Sequence, residues 1–163
     1  MKIIALAVLI LYSLALIIIF LYSLVQLHLL IHALRKKNET QGSPAGQKPL
    51  VTIQLPVFNE KYVIERLVHA CMNIDYPKEK FEVQILDDST DETTQIAQKL
   101  VHDYEKQGYH INLIRRANRE GFKAGALQYG LSKAKGEFIA IFDADFIPDK
   151  EFLTKTLAAF RDD

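Results

Sequence analysis

Asp143 and Asp145 follow the apolar run FIAIF (138–142), with only Ala144 between them. On an extended strand, residues two apart share a face and lie a few ångströms from each other. Carboxylates that close repel, and one tends to take up a proton. A divalent cation removes the conflict, and hard oxygen ligands suit Mg²⁺ or Mn²⁺. The pair is therefore a candidate metal site. Acidic residues also close two earlier apolar runs: Glu60 follows LPVFN, and Asp87-Asp88 follow FEVQIL and precede Ser89. Taken alone, Asp87-Asp88-Ser89 reads equally well as a turn with a helix cap. The stretch RRANREGFKAGAL (115–127) supplies the opposite charge, with Arg115, Arg116, Arg119 and Lys123 around Gly121 and Gly125. Glycine at a helix start lets backbone approach a ligand, and the helix N-terminus favours anions. A metal pair, basic groups and a helix terminus are together what a diphosphate requires. Asp87 or Asp88 is then left to hydrogen-bond a neutral group such as a base edge.

These residues need a frame that brings strand ends together. From Leu50 onward, strand-like and helix-like patterns alternate. LVTIQLPVF is read as a strand, with Asn59 capping a helix that places Val63, Leu67, Ala70 and Cys71 on one face. FEVQILDD is a second strand, and Ser89 with Glu92 forms a capping-box pattern for a helix through about Lys106. INLIRR is a third strand, Gly121 to Lys133 a helix, and EFIAIFDAD a fourth strand. A last helix, capped by Asp149, is read as still running at Asp163. Such alternation predicts an α/β fold with a mainly parallel sheet and flanking helices. In open α/β sheets ligands bind outside the carboxyl ends of the strands, where all three acidic clusters fall.

The bulk numbers narrow the function classes. Twenty basic and 20 acidic residues give a net charge of zero, which excludes the basic excess of a nucleic-acid binder. Ile3 to Leu34 contains no Asp, Glu, Lys or Arg, and exceeds the roughly 20 residues that a bilayer core requires. It is also far longer than a signal-peptide core and meets Arg35, Lys36 and Lys37 instead of a small-residue cleavage site. Residues 1–35 are thus expected to form a transmembrane helix, and 36–49 a juxtamembrane linker. The basic cluster after the helix places the C-terminal side, residues 50–163, in the cytoplasm. A single cysteine, Cys71, agrees with a reducing compartment. Neither a G-x-G-x-x-G after the first strand nor a P-loop is present. His28 and His32 lie one helical turn apart in the apolar segment and read as interfacial filler.

VTIQLPVFNE, QILDDSTDET, NREGFKAGAL and AIFDADFIPD resemble, in order and spacing, the N-terminal half of family 2 glycosyltransferases with the GT-A fold. The likeness is greatest to the membrane-embedded branch of cellulose-synthase-like, mannan-synthase-like and ceramide-glucosyltransferase-like enzymes. It covers about residues 51 to 160. The resemblance implies that Asp87 and Asp88 contact the uridine of a UDP-sugar. It implies that Lys123, with Arg119 nearby, faces base and diphosphate, and that Glu60 shares the rim. Asp143 and Asp145 become a DxD pair holding Mg²⁺ or Mn²⁺ against the diphosphate. It further implies inverting transfer of a hexose to a lipid or glycan acceptor. The general base of such an enzyme is an Asp in a later motif, ahead of a Q-x-x-R-W segment. It is expected beyond Asp163, since Asp162-Asp163 read as a solvated helix end and the chain has no Trp. The chain is accordingly expected to bind donor without turning over alone. Two alternatives remain: a non-catalytic, membrane-tethered nucleotide-sugar-binding module, and a haloacid-dehalogenase-like phosphatase. The latter places its D-x-D on the first strand, with Thr or Val where this chain has Ile147.

Overall fold

The computed structural model describes residues 2–35 and 48–160, divided into an N-terminal unit and a unit beginning at Gly42. The N-terminal unit is one helix, α1 (Lys2–Arg35). Its span Lys2–His32 is long and apolar enough to cross a membrane. Within it, Ser13 and Ser23 each donate a hydroxyl hydrogen bond to the carbonyl four residues back (2.8 and 2.9 Å), which satisfies them without water. Residues 36–47, most of the expected linker, lie outside the described residues, as do Asp162 and Asp163.

The second unit contains β1 (Val51–Val57), α2 (Ile64–Met72), β2 (Phe81–Asp87), α3 (Thr93–Lys106), β3 (His110–Ile114), α4 (Phe122–Leu131), β4 (Phe138–Ile141) and α5 (Phe152–Leu157). The strands form one parallel sheet in the order β3-β2-β1-β4. The chain steps outward from β1 to β3, then returns across β1 to lay down β4. That reversal creates a switch point between β1 and β4, where side chains beyond the strand ends are not covered by a crossover helix.

The two faces of the sheet differ chemically. Val51, Ile53, Leu55 and Val57 of β1, with Phe81, Val83 and Ile85 of β2, join Leu67, Val68, Cys71, Ala97, Leu100, Leu153 and Leu157 in one buried core. Full burial of each large side chain stabilises by about 1.5–3 kcal/mol. The alternate residues are polar yet equally buried. Thr52 donates to Glu82 (2.7 Å), and the Gln54 and Gln84 amides meet at 3.0 Å, each across directly paired positions. Glu82 also accepts from the Lys135 backbone N–H (2.8 Å), and Thr52 from that of Gly136 (2.9 Å). This polar ladder ties the turn before β4 to the sheet, so its groups are satisfied without solvent.

Several local expectations are corrected by tertiary contacts. Asn59 does not cap α2, whose N-cap is Val63 with no side-chain bond. Asn59 is left-handed (φ 57°), its N–H donates to Ser89 Oγ (2.9 Å), and its Oδ1 accepts from Thr90 N–H (2.9 Å). Ser89 is thereby engaged, and the capping box with Glu92 does not form. Helix α3 begins at Thr93, and Asp91 Oδ1 accepts the Thr93 N–H at 3.0 Å. The buried face of α2 is Ile64, Leu67, Val68, Cys71 and Met72, shifted from the expected stripe. Helix α5 ends at Leu157 instead of running on, and Asp149 Oδ1 accepts from Glu151 N–H in the turn ahead of it (2.8 Å).

Cys71 is fully buried, and burial pushes its thiol up to about 12. Thiolate is the reactive form, so the native protein is expected to leave an aromatic disulfide reagent unreacted and to titrate fully once denatured. Rapid native-state reaction would contradict this packing.

Candidate active site

A cleft of about 330 Å³ opens at the switch point, lined by Glu60, Phe58, Asp88, Arg119, Lys123, Asp143 and Asp145 together with backbone-proximal apolar residues. Sequence positions from Pro56 to Asp145 thus converge on one rim, because parallel strands place all their carboxyl ends on the same side. Six of the residues expected at the site line this cleft. Asp87 does not: its side chain is wholly buried beneath it.

The two neighbouring aspartates have separate duties. Asp87 Oδ1 accepts the Ser89 N–H (2.9 Å) and Oδ2 the Thr94 hydroxyl (2.6 Å), with Arg115 Nε at 3.2 Å from Oδ2. It anchors the β2–α3 connection. Asp88, on the opposite side of the pleat, faces the cleft and is gripped by Arg116 in a two-pronged pair, Nε to Oδ1 at 2.9 Å and Nη2 to Oδ2 at 2.6 Å. This charge-assisted fork raises the Arg116 pKa above its ordinary value, burial opposing it. Arg119 Nε stands 3.9 Å from the same carboxylate.

Arg116 also shapes the loop that carries the basic groups. It donates to the Glu120 carbonyl (2.5 Å) and the Phe122 carbonyl (2.7 Å). Between these carbonyls the backbone turns left-handed at Gly121 (φ 68°) and again at Phe122 (φ 48°). A phenylalanine there is strained by about 1–3 kcal/mol, and persists where surrounding contacts over-determine it. A side chain at Gly125 would run into the Glu120 carbonyl and the Arg116 guanidinium, so only glycine admits this close approach. The sequence marked Arg116 only as one basic residue among four. Phe58, with the Arg119 guanidinium 3.4 Å above its ring centroid, was not singled out at all.

The acidic pair differs from its expected form. β4 ends at Ile141, and Asp143 and Asp145 lie in a β-turn closed by Phe146 N–H to Asp143 C=O (2.9 Å). They reach the same cleft through that turn and not through strand alternation. Both are exposed, and Asp143 is salt-bridged to Lys123 from the first turn of α4. Among the described residues no group of three or more His, Cys, Asp or Glu gathers. Two open carboxylates without a third protein ligand do not form a closed metal cage. They fit a hard cation such as Mg²⁺ or Mn²⁺, which keeps waters and completes its shell with phosphate oxygens.

Residues 52–163 match the family described as Glycosyl transferase family 2. Glucomannan 4-beta-mannosyltransferase 1 of Cyamopsis tetragonoloba is 37% identical over 142 residues, covering 79% of this chain and 27% of that protein. The probable glucomannan 4-beta-mannosyltransferase 14 of Arabidopsis thaliana is 39% identical over 129 residues, covering 75% and 24%. The chain spans about a quarter of the length of these curated relatives. Among solved structures, the mannosyltransferase PcManGT from Pyrobaculum calidifontis, in complex with GDP-Man and Mn²⁺, superposes with a TM-score of 0.68 at 30% identity, covering 78% of this chain and 36% of its own. S. aureus TarS 1–349, in complex with UDP-GlcNAc, gives 0.58 at 30% identity, covering 68% and 30%. With its parallel sheet, its switch-point cleft and these matches, the chain belongs to glycosyl transferase family 2 and carries a GT-A fold.

Proposed function

We propose that this chain is the donor-binding part of a membrane-anchored glycosyltransferase that uses a nucleoside-diphosphate hexose and a divalent cation to extend a glycan. The single observation that carries the reading is the convergence of Asp88, Arg119, Lys123, Asp143 and Asp145 on one cleft at the sheet's switch point. Asp143 and Asp145 hold the cation. When bound, the cation acts as a Lewis acid that stabilises charge on the departing nucleoside diphosphate. Lys123 and Arg119 supply positive charge to the phosphates from the start of α4. Asp88, fixed by Arg116, presents its remaining lone pairs to the base. Asp87 supports the loop from below, and Glu60 closes the rim beside Phe58. Polysaccharide extension is favoured over lipid glycosylation by the glucomannan mannosyltransferase names of the relatives. The apolar helix α1 supports a bilayer anchor, and the basic residues that follow it support a cytoplasmic donor domain. On this reading residues 1–35 anchor, 36–49 link and 50–163 bind donor.

The family resemblance favours UDP, whereas one structural neighbour holds GDP-Man and another UDP-GlcNAc. All share the diphosphate. Calorimetric titration of the full chain in detergent with UDP, GDP and their hexose conjugates, with and without Mn²⁺, tests the reading. Mn²⁺-dependent binding of one nucleotide at least about tenfold tighter than the other is expected. Binding of neither would overturn it.

A further inference from the structure

We propose that Lys123 is a built-in counter-ion of the metal site. Its ammonium holds the place on Asp143 that a divalent cation takes, so the chain couples cation binding to diphosphate binding. The inference rests on the donor-site reading above, and goes beyond it in assigning Lys123 a second, ligand-free position.

Four observations carry it. First, Lys123 Nζ is paired with Asp143 Oδ1, and both side chains are about half exposed (52% and 58%). The pair is formed at the surface and can open without unpacking a core. Second, Asp145, across the same turn, has no ion-pair partner among the described residues. Only one of the two candidate ligands is guarded. Third, Lys123, Asp143 and Asp145 line the donor cleft and also a second cavity of about 320 Å³, otherwise walled by Ile141, Phe142, Phe146 and Phe152. The pair is thus a bar between two spaces, with Arg119 and Asp88 on one side and apolar side chains on the other. Fourth, the backbone at the root of Lys123 is pinned. Gly121 and Phe122 hold left-handed conformations, and Arg116 bonds the carbonyls of Glu120 and Phe122. The root is fixed while the four-carbon stem is free to swing.

The physics follows from charge. A cation seated on Asp143 and Asp145 stands a few ångströms from the ammonium and repels it. On the side of the second cavity the displaced ammonium meets apolar walls and Asp145, which the cation itself engages. On the cleft side Asp88 is already held by Arg116, Glu60 is the one other carboxylate among the described residues, and a diphosphate adds a partner of higher charge. A cation binding alone must break the Lys123–Asp143 pair with no phosphate to take its place. A cation binding with a diphosphate exchanges that pair for an ammonium–phosphate pair. The two ligands therefore promote each other, and by linkage the promotion is equal in both directions. Lys123 is a positioning residue in this scheme, active before any chemistry.

The test is Mn²⁺ binding to the full chain in detergent, followed by the electron paramagnetic resonance signal of free Mn²⁺, alone and with saturating UDP or GDP in parallel. In the unmodified chain the nucleotide should tighten Mn²⁺ at least about tenfold. Lys123→Gln, which removes the charge and keeps most of the stem, should bind Mn²⁺ alone about tenfold more tightly and lose most of the enhancement. Lys123→Arg, retaining the charge, should keep weak binding of Mn²⁺ alone. Should Lys123→Gln bind Mn²⁺ alone no better than the unmodified chain, or retain its full enhancement, the counter-ion role is wrong while the donor site stands. Absence of any nucleotide-enhanced Mn²⁺ binding in the unmodified chain would instead remove the donor-site reading, and this inference with it.

Discussion

Asp145→Asn is expected to weaken Mn²⁺-dependent nucleotide binding by at least about a hundredfold. Loss of a residue that merely supports a metal ligand costs about 10–100-fold in metal affinity, and removal of a ligand itself costs no less. The amide keeps the size and turn geometry of the aspartate but carries no charge and presents a single good acceptor. Among the described residues no group of three or more metal-ligating side chains gathers, so no third ligand is in place to substitute for it. The substitution lies at an exposed position in a turn closed by backbone, so melting temperature should hardly move. Calorimetry with and without Mn²⁺ separates the terms. Metal-independent binding should be little altered, and the increment given by Mn²⁺ should vanish. Retention of the full increment would take Asp145 out of the metal site.

Arg116→Leu should have the largest effect on stability, about 3 kcal/mol or more. Its side chain and that of Asp88 are 10% and 7% exposed, and breaking such a pair leaves a carboxylate nearly buried without a partner. The same guanidinium satisfies the carbonyls of Glu120 and Phe122 across the strained left-handed turn. Its loss therefore removes what holds that turn and, with it, the placement of Arg119 and Lys123. Thermal unfolding should fall by roughly 10 °C or more. Arg116→Lys keeps charge but not the planar fork, and should recover only part of the loss. Gly125→Ala should mimic it in kind, because the added methyl meets the Arg116 guanidinium and the Glu120 carbonyl. Near-wild-type stability of Arg116→Leu would show that Asp88 is solvated where the structure places it paired.

How much of this was legible beforehand differs from residue to residue. Alternating apolar and polar residues in VTIQL and FEVQI identify strands, and helices between them imply parallel connection. Both readings match the sheet. Parallel strands align their carboxyl ends, so the gathering of Glu60, Asp88 and the 143–145 turn at one edge was also readable. The alternation misleads about environment, however. Thr52, Gln54, Glu82 and Gln84 look like solvent-facing positions but are buried, because paired register lets each polar group meet another.

Caps failed where a distant partner competed. Asn59 and Ser89 are both good helix cappers by type, yet they bond each other's loops across 30 residues. Apolar residues continue through Phe142 and predict a longer β4, but its pairing with β1 ends at Gln54–Ile141 although β1 runs on to Val57, and Phe142 N–H adds one further bond to the Gln54 carbonyl at 3.2 Å.

The amino-acid sequence by itself determined the element types, the parallel connection and the chemical character of the rim, since each depends on residues near one another in the chain. Tertiary structure alone decided that β4 pairs beside β1, that Asp88 and not Asp87 faces the cleft, and that Arg116 is its anchor. Those outcomes depend on which face of a strand is covered and on which charge lies within reach. Such distances are set by packing between segments far apart in the chain, where no local pattern records them.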